Sequence, residues 1–198
     1  MIYLNSIVFK KDYRNLKKGF RIGFLDITVL VGDQGTGKSS VLSLLQEYDQ
    51  ETLKFNLTEE AKTKSVKTFY FNTETMNPRT ARMDDYSNPD GSSKGIGLGG
   101  FIASKFQSHG EVLQQMTVDM MAKAKDCVLF VDEPESGLSV RNQYQLIKNI
   151  RKALKNNTQL IIATHCIPLI QSTESVFDME TGKWISSIDY LKNFDKTK

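Results

Sequence analysis

The segment Gly32-Asp33-Gln34-Gly35-Thr36-Gly37-Lys38-Ser39-Ser40 sets three glycines ahead of a lysine and two hydroxyl side chains. The spacing G-x-x-x-x-G-K-[ST] suits a backbone that must wrap closely around a chain of phosphates. Gly32, Gly35 and Gly37, with Thr36 between them, let N–H groups turn inward, and the helix that should follow presents its positive end. Lys38 can then reach the outer phosphates, the Ser39 hydroxyl can ligate Mg²⁺, and Ser40 supplies a second hydroxyl beside it. Two acids, Asp132 and Glu133, come directly after the apolar run Cys127-Val128-Leu129-Phe130-Val131. Asp132 is suited to hold a nucleotide's Mg²⁺. Glu133 is suited to polarise an attacking water, and such general-base help is worth about 10²–10⁴-fold in rate. His165 follows another apolar run in the same manner, where an imidazole can hydrogen-bond a terminal phosphate or the water.

These residues need strands that end together and a helix that starts where the phosphates sit. Residues 2–9 and 20–31 read as strands separated by Lys17-Lys18-Gly19, the second running almost unbroken into the glycine loop. A β-rich lead-in of this kind predicts an N-terminal antiparallel flap on an α/β core. A first helix should begin near Lys38, turn Val41, Leu42, Leu44 and Leu45 inward, and fade by Gln50. Val66-Lys67-Thr68-Phe69-Tyr70-Phe71 is the next strand, and after Gly110 a helix should run to about Lys125. Residues 127–131 form an apolar strand, 139–155 a helix with Val140, Tyr144, Ile147 and Leu154 inward, and 159–163 another apolar strand. Alternating strands and helices predict a mostly parallel sheet flanked by helices. Residues 175–188 read as a hairpin turning near Thr181-Gly182, followed by a short polar end. Between Asn77 and Gly100 lie Pro78, Pro89 and five glycines, the composition of a long flexible loop of the lid or binding kind.

A length of 198 residues with 39% hydrophobic side chains supports one well-buried core, so residues 1–198 are expected to form a single domain. The net charge of +3 is spread along the chain and neither demands nor excludes a nucleic-acid partner. Cys127 and Cys166 adjoin apolar runs and read as buried, reduced thiols. No apolar run approaches membrane-spanning length and the start lacks the pattern of a secretion signal, so a soluble, cytoplasmic protein with no membrane partner is expected.

The order of the glycine loop, Ser108-His109-Gly110-Glu111, Leu129-Phe130-Val131-Asp132-Glu133-Pro134-Glu135-Ser136-Gly137-Leu138-Ser139, and Ile162-Ala163-Thr164-His165 resembles the ABC-type ATPase superfamily. Within it the chain is most similar to small, stand-alone bacterial and phage ATPases allied to the SMC and RecF-like branch. The resemblance implies a P-loop NTPase fold with ATP and Mg²⁺ as cofactors. Lys38, Ser39 and Ser40 would contact phosphate and Mg²⁺, Asp132 would be the metal-side acid, Glu133 the base and His165 the switch histidine. Ser108 and Gly110 would be the signature that caps the terminal phosphate of a nucleotide held by a second subunit, although His109 stands where the family commonly has glycine. A glutamine usually links metal to lid after the strand equivalent to 66–71; here Glu74 is the nearest candidate and Asn72 the second. Tyr13 and Phe20 lie upstream at distances suited to an adenine-stacking ring.

A loop and a signature on one chain imply a head-to-tail homodimer that forms on ATP binding. The interval between them holds neither the heptads of an SMC arm nor a helical domain of the transporter kind. The output would then pass to a protein effector such as a nuclease, or to DNA, in DNA metabolism or genome defence. Two other classes stay open: a nucleotide-dependent binding module in which hydrolysis only resets the complex, and a phosphotransferase sharing the same loop.

Overall fold

The computed structural model describes residues 2–46, 57–61, 67–72 and 109–194. Six strands make the main sheet, in the order β5 (Lys67–Asn72), β6 (Cys127–Asp132), β7 (Thr158–Ala163), β3 (Ile27–Val31), β8 (Ser175–Asp178) and β9 (Lys183–Ser186). All neighbours pair in parallel except the β8–β9 hairpin at one edge. A separate antiparallel sheet of β2 (Arg21–Gly23), β1 (Leu4–Phe9) and β4 (Leu57–Ala61) forms the flap. Five helices accompany the sheets among the described residues: α1 (Lys38–Gln46), α2 (His109–Lys123), α3 (Val140–Lys155), α4 (Ile167–Gln171) and α5 (Ser187–Phe194).

Alternation along the central strands explains the layers, since successive side chains leave a strand on opposite faces. Val128 and Phe130 of β6 and Ile161 and Ala163 of β7 join Leu42 and Leu45 of α1 and the flap residues Ile7, Phe9 and Ile22. Leu129, Val131, Leu160 and Ile162 face the other way, onto Met121 of α2 and Leu146, Ile147 and Ile150 of α3. Every residue of β6 and β7 is buried, and the apolar runs Cys127–Val131 and Leu160–Ala163 within them are the mark of a covered parallel sheet. Each fully buried Leu or Ile contributes about 1.5–3 kcal/mol.

The flap is fastened to the main sheet by Gln159, which has no solvent exposure. Its Oε1 accepts the N–H groups of Tyr3 (3.0 Å) and Leu4 (2.8 Å), and its Nε2 donates to the carbonyls of Leu4 (2.8 Å) and Leu25 (3.0 Å). The expected continuous strand over 20–31 is in fact two strands in two sheets. Residues 24–26 turn between them, with the Leu25 N–H donating to Thr28 Oγ1 at 2.9 Å and the Leu25 carbonyl taken by Gln159.

The expected helix over 139–155 has Ser139 as its N-cap, whose hydroxyl accepts the Asn142 N–H. Ile147 is buried and Leu154 packs at the margin of the core as expected, but Val140 and Tyr144 are exposed. The buried residues of α3 begin only at Leu146 and continue through Ile147, Asn149, Ile150 and Ala153. The expected 175–188 hairpin is present over residues 175–186, while residues 187–188 and the polar end after them are corrected to α5, whose Tyr190 and Leu191 pack beside Val29, Val31 and Ile170. Cys127 and Cys166 are buried and unbridged. No described helix is long and apolar enough to cross a membrane.

Candidate functional site

Parallel registry sets the site. Asn72 of β5 lies beside Asp132 of β6, Asp132 beside Ala163 of β7, and Ala163 beside Leu30 of β3. The carboxyl ends of four strands therefore form one row, the edge where open α/β sheets bind ligands. The glycine loop leaves β3 at this edge, the acidic pair leaves β6, and His165 leaves β7.

The loop conformation depends on its glycines. Gly32, Gly35 and Gly37 have φ of +134°, +83° and +95°, values that side chains rarely adopt. Lys38 is buried at 5% exposure, and its Nζ donates to the carbonyls of Gly32 (2.8 Å) and Asp33 (2.9 Å). Burial pushes this ammonium below the usual lysine range, while the charges of Glu133, Asp132, Asp33 and Glu180 oppose the shift. Thr36 Oγ1 donates to the Asp33 carbonyl at 2.8 Å and so closes the loop on itself.

Five neighbouring contacts were not read from the sequence. Residues of the β1–β2 connection strap the loop: the Arg14 guanidinium donates to Ser40 Oγ at 3.1 Å, Asn15 Nδ2 donates to the Gly35 carbonyl, and Leu16 packs against Gly37. From the β8–β9 turn, Glu180 Oε1 accepts the Asp33 N–H at 2.8 Å. Tyr190 of α5 approaches the Gly32 backbone N–H, and burial together with the Asp178 charge raises its phenol to about 12. A cavity of about 380 Å³ lies between the loop and α5, lined by Gly32, Asp33, His165 and Tyr190 among others.

On the acidic side, Asp132 is buried, and its Oδ1 accepts the Ser39 hydroxyl at 3.0 Å. Its Oδ2 accepts Asn72 Nδ2 at 3.1 Å and the Tyr70 hydroxyl at 3.2 Å. Glu133 sits at a left-handed φ of +46°, held by its N–H donating to the Ala163 carbonyl at 2.9 Å. That turn brings Glu133 Oε1 to 3.9 Å from His165 Nε2, with both side chains still open to solvent. Glu135 fixes the same junction, because its Oε1 accepts the His165 N–H at 2.8 Å. Burial raises the Glu135 carboxyl above the usual range, opposed by hydrogen bonds from Thr164 and from the backbone, and its Oε2 is buried without a partner among the described residues.

Gly32, Gly35, Thr36, Gly37, Lys38, Ser39, Ser40, Asp132, Glu133 and His165 thus come together at one edge. Gly110 lies in the first turn of α2, while Ser108, Glu74 and the 77–100 loop fall outside the described residues. Asn72, the second candidate, is the last residue of β5 and donates to Asp132. Phe20 packs edge-on against Phe9 and Phe177 in the core, and Tyr13 carries the Arg14 guanidinium 5.4 Å above its ring. No described cluster of three or more His, Cys, Asp or Glu could hold a metal by itself. Ser39 and Asp132 offer two hard oxygen donors, a set that fits a cation sharing most of its coordination with phosphate and water.

No protein-family model matches the chain, and no curated protein matches its sequence significantly. Solved structures do match its fold. A protein assigned as a metal-chelate-type ABC transporter, in an inward-facing conformation, superposes with a TM-score of 0.55 at 13% identity, over 95% of this chain and 85% of its own. A bacterial Atm1-family ABC exporter with ATP bound gives 0.56 at 18% identity, over 98% of this chain and 41% of its own. The ATP-binding cassette MJ0796, in a dimeric post-hydrolysis state bound to ADP and Pi, gives 0.55 at 12% identity over 93% and 97%. The fold is that of P-loop NTPases of the ABC-ATPase kind: a mostly parallel sheet with flanking helices and an antiparallel flap.

Proposed function

We propose that residues 1–198 form a single ATPase domain that binds Mg²⁺-ATP on the Gly32–Ser40 loop and hydrolyses it between two copies of the chain. The observation that carries this reading is the meeting of two pairs at one sheet edge. Ser39 and Asp132 lie 3.0 Å apart beside the buried Lys38, and Glu133 and His165 lie 3.9 Å apart next to them. The ATP-bound exporter and the dimeric cassette with ADP and Pi share this fold, which supports both the nucleotide and the dimer.

Lys38 would exchange the Gly32 and Asp33 carbonyls for phosphate oxygens, a trade favoured because the ammonium already bears the cost of burial. Loop N–H groups and the start of α1 would face the same anion. Mg²⁺ held by Ser39 and Asp132 would neutralise charge developing on the phosphates. Glu133, projecting from its strained turn, would take a proton from the attacking water. His165 would orient that water or the terminal phosphate, its backbone fixed by Glu135. Ser108 and Gly110 would cap the nucleotide of the second copy, and loss of the terminal phosphate would release the pair. We place the output in DNA metabolism or genome defence, through a nuclease-like effector or DNA, a role supported by the sequence resemblance.

Light scattering of Glu133→Gln in saturating Mg²⁺-ATP tests the shared site. A dimer that reverts to monomer when nucleotide is removed is expected. A monomer under both conditions contradicts it.

A further inference from the structure

The far oxygen of Asp132 is held by Tyr70, which lies outside every motif described above, and by Asn72, the second candidate for the residue that links metal to lid. Tyr70 and Asn72 are two apart on β5 and so project from the same face, beside the register partner of Asn72, which is Asp132. Asn72 Nδ2 donates to Asp132 Oδ2 at 3.1 Å and to the Tyr70 hydroxyl at 3.3 Å, and that hydroxyl donates to the same Oδ2 at 3.2 Å. The donor sense is fixed chemically: a carboxylate only accepts, so the phenol proton and an amide proton must both point to it. The ring is half-buried and packs on the core that includes Val128 and Phe130.

This arrangement addresses a specific problem. The terminal torsion of an aspartate is broad and twofold, so a lone carboxylate can present either oxygen to a cation. Two donors on Oδ2 leave Oδ1 facing Ser39, the direction from which a metal would be shared. They also stabilise the anion without adding a charge that would compete with the cation. Outer groups that orient a metal-binding carboxylate are worth about 10–100-fold in metal affinity.

We propose that Tyr70, with Asn72, is a positioning residue that sets the affinity of the site for the divalent cation, leaving the affinity for nucleotide alone unaffected. The inference rests on the reading that Ser39 and Asp132 hold the cation of a bound nucleotide. It is tested on the full chain carrying Glu133→Gln to prevent turnover. Mn²⁺ replaces Mg²⁺ as a paramagnetic probe, and Mn²⁺ binding with ATP present is followed by electron paramagnetic resonance. ATP binding in EDTA is measured separately. Tyr70→Phe keeps the ring and removes only the hydroxyl. It should weaken ATP-dependent Mn²⁺ binding about 10-fold or more while changing ATP affinity in EDTA less than about 2-fold. Asn72→Ala should produce the same split, which a loss of folding would not. A parent signal left intact by Tyr70→Phe overturns this inference alone. A parent that binds no Mn²⁺ in response to ATP overturns the functional reading, and this inference with it.

Discussion

Replacing Gly37 with alanine tests how tightly the flap strap and the phosphate loop are joined. Gly37 has φ +95°, and a Cβ built there lies 2.9 Å from Leu16 Cδ2 and 3.0 Å from its Cγ. Holding an alanine in this conformation costs about 1–3 kcal/mol. Leu16 is only 2% exposed, so it cannot swing into solvent. Moving it adds about 1 kcal/mol, the lower end of overpacking costs. The expected loss is therefore about 2–4 kcal/mol, read as a lower urea midpoint at unchanged slope. Leu16→Ala should itself cost about 2–5 kcal/mol through the cavity it leaves. In the double variant the new methyl enters that cavity, so the combined loss should fall short of the sum by about 1 kcal/mol. A Gly37→Ala loss under about 0.5 kcal/mol, the level of a neutral surface change, refutes the reasoning about the backbone. Strict additivity refutes the contact with Leu16.

Two further predictions concern the supports of the site. Gln159→Leu leaves four backbone groups at Tyr3, Leu4 and Leu25 without their partner, and at about 1–3 kcal/mol per orphaned group the expected cost is about 4 kcal/mol or more by urea unfolding, with faster hydrogen exchange at Leu4. Slow exchange at Leu4 in that variant would show the flap is held by other means. Glu135 has a folded-state pKa raised above its ordinary 4.5 by burial, so its stabilising share is full below that value and is lost as pH rises through the folded pKa. Glu135→Gln, which can still accept the His165 N–H, should gain on the wild type in thermal stability from about pH 4.5 toward neutrality. Parallel pH profiles for the two proteins would exclude a destabilising charge at this position.

Much of the site was legible because its chemistry is local in sequence. The glycines, Lys38 and Ser39 occupy one turn, and the apolar runs ending at Asp132 and Thr164 announce covered parallel strands whose ends must align. Registry then brings Glu133 to His165 without further information. What escaped was long-range or carried by ordinary residue types. Arg14, Asn15 and Leu16 reach the loop only because β1 and β2 form a flap over it, and Glu180 only because a hairpin closes beside β3. Tyr70 reads as a strand aromatic until Asn72 is set against Asp132. In Val140 and Tyr144 the helical spacing was correct, but spacing alone could not tell that burial starts only at Leu146. The break at residues 24–26 was hidden because apolar residues continue on both sides while the chain passes from one sheet to another.

Phosphate release from Mg²⁺-ATP by the wild type and by Glu133→Gln, with nucleotide binding measured on both, tests the central claim most directly. The account predicts equal or tighter binding by the variant, with turnover reduced at least about 10²-fold, the lower bound for loss of a general base. Equal turnover by the two proteins would contradict the role assigned to Glu133, and failure of the wild type to bind or hydrolyse ATP would contradict the account as a whole.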